Sequence, residues 1–84
     1  MPEISRFYGI VIRMYFLSSE HNPPHIHAIY NKYIIAISLI DNQVLSGDIP
    51  PNAKKLVIEW INIHRDELLN MWQTQEFKEI EPLK

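Results

Sequence analysis

The strongest constraint on this chain is a change of hydrophobic period near Pro50-Pro51. Upstream of the two prolines, apolar residues recur at every second position, the period of a strand. Downstream, from about Asn52, they recur at the three-and-four spacing of a helix. A chain of 84 residues has room for one domain, and a single switch of this kind leaves a two-layer solution, a sheet covered by one helix.

The strand half divides at its turn residues. Ile10, Ile12, Met14 and Phe16 alternate with Val11, Arg13 and Tyr15, which predicts a strand over about 8–16. Its first face is wholly apolar, and its second is mixed. Leu17 to Pro24 reads as a loop closed by Pro23-Pro24, two residues with fixed φ and no N–H, so it is stiff and extended. Strands follow over about 25–30 and 33–40, joined at Asn31-Lys32, where asparagine tolerates positive φ. Asp41-Asn42 marks the next turn, a short strand is expected over about 43–45, and Ser46-Gly47-Asp48 closes it. In the helix half, Ala53, Leu56, Val57, Trp60, Ile61 and His64 share a face that Leu68, Leu69 and Trp72 continue. Asp66-Glu67 after His64-Arg65 suits a second helix start, because acids favour a first turn. The expectation is a single α+β domain over residues 1–84, an antiparallel meander of about four strands packed on one C-terminal amphipathic helix, long or split, over about 52–75. The residues beyond the helix are expected to be extended or frayed.

Composition removes several function classes. There is no cysteine, hence no disulfide, no thiolate zinc site and no cysteine nucleophile. The N-terminal residues lack the basic start and apolar run of a signal peptide, and no apolar stretch approaches the roughly 18 residues of a membrane span. A cytoplasmic protein that makes no use of membranes is expected. The net charge of −2 supplies no global attraction to nucleic acid, although Arg6, Arg13, Lys32, Lys54, Lys55 and Arg65 could converge locally.

Chemistry is concentrated in one segment, His21-Asn22-Pro23-Pro24-His25-Ile26-His27, which holds three of the four histidines. His25 and His27 stand two apart on a strand and share a face. They can ligate a divalent transition metal, with His21 or His64 as third ligand. They can equally work without metal as an acid and a base, with Arg13 on the neighbouring strand as the cation for a phosphate and a tyrosine hydroxyl from Tyr15 or Tyr30 beside them. The same surface, with His21, Asn22, Tyr15 and Tyr30, can simply bind a partner. Against all three stands the structural reading, in which these histidines are hydrogen-bonded or solvated and the tyrosines cap the sheet. Trp60 and Trp72 read as core anchors. His64 reads as a core or helix-end residue, unless the fold carries it over the sheet.

Ile4-Ser5-Arg6-Phe7-Tyr8-Gly9-Ile10, Met14-Tyr15-Phe16, His21-Asn22-Pro23-Pro24-His25-Ile26-His27-Ala28 and the run from Leu56 through Trp60 and His64-Arg65-Asp66-Glu67-Leu68 to Trp72 resemble a widespread bacterial family catalogued as a domain of unknown function. The resemblance spans nearly the whole chain. It departs at Asn31-Lys32, where Gly-Glu is usual, and at Ser38, where an acid is frequent. It implies a small stand-alone protein, often encoded beside a second small protein in loci that look like toxin–antitoxin pairs. It carries over no established catalytic residue. On that ground the leading expectation is a toxin–antitoxin-type component that binds a cognate small protein from the same operon. The alternative is a small hydrolase or nuclease using His25 and His27, with or without metal. A transcriptional regulator comes third, with no helix-turn-helix or basic-helix pattern to support it. A homodimer formed along an open sheet edge is also expected.

Overall fold

The computed structural model describes residues 3–15 and 23–84. Strands β1 (Glu3–Phe7), β2 (Ile10–Arg13), β3 (His25–Tyr30), β4 (Tyr33–Ser38) and β5 (Val44–Gly47) precede a single helix, α1 (Pro51–Thr74). The strands lie in the order β1-β2-β3-β4-β5, each antiparallel to its neighbours. The architecture is the expected α+β meander under a C-terminal helix, with five strands where about four were expected.

The additional strand is β1. Tyr8 and Gly9 take φ of 51° and 79°, two left-handed residues in succession, and fold β1 back on β2 as a hairpin with Phe7 opposite Ile10. A Tyr-Gly pair lacks the asparagine or aspartate that marks such a turn, so the run from Tyr8 reads as one strand. Phe16 and most of the expected loop, residues 16–22, lie outside the described residues. The β3–β4 hairpin turns at Asn31, φ 53°, with Tyr30 opposite Tyr33, as its asparagine predicts.

The second strand of that hairpin stops at Ser38 rather than at residue 40. Its hydroxyl accepts the Ile40 N–H, and its carbonyl accepts the Asn42 N–H. These local bonds, with Asn42 at φ 62°, turn the chain earlier than the apolar run suggests. The last strand, expected over 43–45, extends to Gly47. This glycine sits at φ 75°, and a Cβ placed there would lie 2.1 Å from the Ile34 carbonyl oxygen. Gly47 is thus a close-packed strand residue rather than a loop residue.

Pro50 caps α1 and Pro51 opens it, the position where proline's missing N–H costs nothing. Ala53, Val57, Trp60, Ile61, Leu68 and Met71 are the buried stripe. They meet Ile4, Phe7, Ile10, Ile12, Met14, Ile26 and Ile37 in one core. The helix is both long and split: His64 leaves helical geometry (φ −111°, ψ 16°). At this break Arg65 reaches away from the helix. It donates to the Leu39 carbonyl, to Asn42 Oδ1 at 2.8 Å and to Asn62 Oδ1 at 2.6 Å. Hydrogen bonds from a charged donor are worth about 1.5–3 kcal/mol each, so these contacts favour the kinked arrangement.

The residues after Thr74 do not fray. Gln75 closes the helix in the left-handed region, its N–H on the Met71 carbonyl. The chain then returns along β1, where the Ile80 N–H donates to the Ile4 carbonyl at 2.7 Å and Ile80 itself is buried. Sheet and helix leave the two edges unequal. The β1 edge is partly covered by this segment, whereas β5 is exposed at all four residues. Among the described residues no helix is long and apolar enough to cross a membrane.

The two glycines at positive φ differ in a way that melting can read. Gly47→Ala must push backbone against backbone and is expected to lose roughly 2–4 kcal/mol in urea unfolding. Gly9→Ala would meet only the Tyr30 ring at 3.5 Å and is expected to lose about 1 kcal/mol. Equal losses would show that the close approach of Gly47 to Ile34 carries no weight.

Candidate functional site

The pairing of β2 with β3 assembles the site. Arg13 stands directly opposite His27, and directly opposed residues of an antiparallel pair project from the same face. On β1 Glu3 lies opposite Arg13, and on β4 Ala36 lies opposite His27. The result is a transverse row, Glu3, Arg13, His27 and Ala36, on the face away from Ile12 and Ile26. Two residues along, His25 lies opposite Ser38.

Rings join this row. Tyr15 meets His27 edge-on with centroids 4.5 Å apart, and His27 lies 5.2 Å from His25. His25 in turn lies 5.0 Å from Trp72, on the helical segment beyond the His64 break. Ile35 through Leu39 are buried without alternation. The far end of β4 is therefore covered on both faces, and the histidines border an enclosed part of the fold rather than an open sheet.

His25 is held by its own prolines. Its Nδ1 lies 2.8 Å from the Pro23 carbonyl oxygen. Because a carbonyl only accepts, Nδ1 carries the proton and Nε2 is the unprotonated nitrogen of the neutral ring. The Pro24 carbonyl accepts the Leu39 N–H at 2.8 Å, which fixes the entry to β3. Stiff backbone and a tethered ring are what the Pro-Pro pair contributes.

His27 is in a different state. Burial lowers its pKa below the ordinary value of 6.5, and the neighbouring His25 lowers it further. Its Nδ1 is buried and, among the described residues, has no hydrogen-bond partner, and the same is true of Arg13 Nε. At neutral pH the pair therefore offers one full positive charge, on Arg13, beside a neutral imidazole.

Of the residues expected at the site, Arg13, Tyr15, His25 and His27 come together. Tyr30 sits at the opposite end of β3, packed against the core. His64 lies at the helix break, its Nδ1 3.1 Å from Glu67 Oε1 and its ring 5.3 Å from that of Trp60. His21 and Asn22 lie outside the described residues. Among the described residues no group of three or more histidine, aspartate or glutamate side chains is placed to hold a metal ion. Of the six cations named as able to converge, Arg6 pairs with Glu3, Arg65 ties the helix to the β4–β5 turn, and Lys32 lies over the Tyr33 ring.

Trp72 packs against the core as expected, but unlike the fully buried Trp60 it is half-buried, and its ring also meets His25. Its position at the end of the apolar stripe, past the break, turns it towards His25. Periodicity alone carries no signal for that.

Away from this face, a hollow of about 220 Å³ lies between β1 and the C-terminal segment, with Ser5, Arg6 and Glu79 in its wall. Among the described residues the buried Ser5 hydroxyl has no hydrogen-bond partner.

Fold and site together define a small α+β domain with a proline-tethered histidine pair set against a strand arginine. Residues 9–73 match the family described as a domain of unknown function (DUF4160), and the chain belongs to that family. The matched span runs from the β1–β2 turn almost to the end of α1, so it includes the whole ring cluster and leaves out β1. No curated protein matches the chain, and no solved structure does.

The lowered pKa of His27 has a consequence for stability. A histidine kept neutral by folding contributes stability that is present above its unfolded value, about 6.5. That contribution is lost as pH falls through the lower folded value. Urea midpoints measured between about pH 8 and pH 5 are expected to fall for the native chain and to fall less for His27→Gln. Parallel slopes for the two proteins would show that His27 is not the group responsible.

Proposed function

We propose that this chain is the binding component of a toxin–antitoxin-type pair in the cytoplasm. It docks a small cognate protein, encoded beside it, on the surface that carries Arg13, Tyr15, His25 and His27. The observation that supports this reading is the company the histidines keep. Tyr15, Trp72 and Arg13 surround them, and tyrosine, tryptophan and arginine are the side chains that carry most of the energy of protein interfaces. Each offers a large contact area together with a polar group that fixes orientation. The two-gene arrangement itself comes from the family resemblance.

Co-expression of the chain with the product of the adjacent gene is expected to yield a complex that survives gel filtration. Tyr15→Ala is expected to weaken it about 30-fold, the effect of losing roughly 2 kcal/mol at an interface centre. Separate elution of the two native proteins would end this reading.

A second reading is supported by the unlike states of the two histidines. His27 is held neutral and suited to accept a proton, while His25 is tethered through Nδ1 with Nε2 unprotonated in the neutral ring, 5.2 Å away between ring centroids. With Arg13 opposite His27, that arrangement fits a small hydrolase acting on a phosphodiester. Under this reading His25→Gln and His27→Gln each abolish cleavage of a single-stranded RNA while leaving the melting temperature near that of the native chain. Retained cleavage in either variant would remove it.

A further inference from the structure

Arg13 Nε and His27 Nδ1 present the least satisfied polar chemistry on this face. Both atoms are buried, and among the described residues neither has a hydrogen-bond partner. Their residues are direct cross-strand partners, a relation that places Cβ atoms about 4.5–5.5 Å apart. Folded proteins leave few buried donors unpaired, and each such group calls for an explanation. Two of them on facing side chains share one: a single acceptor set between them would satisfy both.

We propose that Arg13 and His27 together receive one carboxylate, supplied by an acidic side chain of the partner protein. This rests on the binding reading above and names the chemistry of its contact. The guanidinium Nε–H and an Nη–H form a fork that matches the two oxygens of a carboxylate. His27, in the tautomer with its proton on Nδ1, donates to the same group. Tyr15 and His25 flank the His27 ring, with centroids 4.5 and 5.2 Å away, and Ala36, next in the row, places only a methyl beside the imidazole.

Charge favours a carboxylate over a phosphate dianion. The full positive charge here is that of Arg13, because burial and His25 keep His27 neutral. Glu3, opposite Arg13 on β1, is itself occupied by Arg6 at 2.8 Å. One positive charge balances one carboxylate. A phosphate dianion would bring a second negative charge beside two partly buried side chains, where unbalanced charge is costly. The chain's net charge of −2 gives a polyanion no long-range attraction to offset that cost.

The test uses the intact, isotope-labelled chain, titrated with sodium acetate and separately with sodium phosphate at constant ionic strength. Acetate is expected to move the NMR signals of Arg13 Nε–H and the His27 ring along a one-site saturation curve. Arg13→Lys keeps the charge and removes the fork, and is expected to weaken acetate binding at least about ten-fold. Should that variant lose its fold, His27→Gln with Arg13 intact reads the same contact, with weaker acetate binding expected. Phosphate saturating these signals at lower concentration than acetate would overturn the proposal in favour of a phosphoryl ligand. No saturation with either anion would overturn it in favour of a trapped water. Acetate needs no cognate protein, so failure here is distinct from failure of the two proteins to co-elute.

Discussion

Burial of Trp60 ties together parts of the chain that local structure would leave separate. Its ring lies 5.6 Å from that of Phe7 on β1 and 5.3 Å from that of His64 at the helix break, and its Nε1 donates to the Glu81 carbonyl at 2.8 Å. One side chain thus joins the first strand, the middle of the helix and the C-terminal segment. A small domain buries a modest fraction of its surface and has little stability to spare. A fully buried indole with its N–H satisfied is worth several kcal/mol in such a domain. The covering of the β1 edge by the Ile80 segment depends on the same contact.

The candidate site lies on the other side of this arrangement and inherits its rigidity. The β2–β3 register places Arg13 on His27, and a slip of one residue would turn both to the core face. That register is held by Ile10, Ile12, Ile26 and Ala28 beneath it, all fully buried. His25 is oriented by Pro23, and Trp72 by a helix that bends at His64 while Arg65 holds the β4–β5 turn. Each side chain at the site is therefore positioned by a part of the fold whose own reason for existing is packing. The nitrogens of Arg13 and His27, unpaired among the described residues, are the local exception. Polar groups buried without partners cost stability, and natural proteins retain such costs where a ligand or partner later removes them.

Much of this was legible in the residues. The alternation of Ile10, Ile12 and Met14, the Asn31 turn, the prolines before the helix and the Ala53, Val57, Trp60, Ile61 stripe each express a local rule. So does the helix break, through Asp66-Glu67 after His64-Arg65. The pattern failed where a local signal was weak or ambiguous. Tyr8-Gly9 turns without the usual turn residues, Ser38 ends a strand with its own hydroxyl, and Gly47 belongs to a strand because of what lies against it.

The site divides along the same line. The sequence by itself determined that His25 and His27 share a face behind a stiff Pro-Pro segment, because side-chain direction in a strand follows from period alone. It also determined the α+β architecture, since hydrophobic period selects element type before any long-range contact forms. Only the tertiary structure decided that Arg13 and Tyr15 join the histidines while Tyr30 and His64 do not. It alone brought Trp72 onto His25 and, among the described residues, left buried nitrogens of the cross-strand pair Arg13 and His27 without hydrogen bonds. Those outcomes depend on strand register and on where a bent helix ends, and both are set by the packing of residues far apart in the chain.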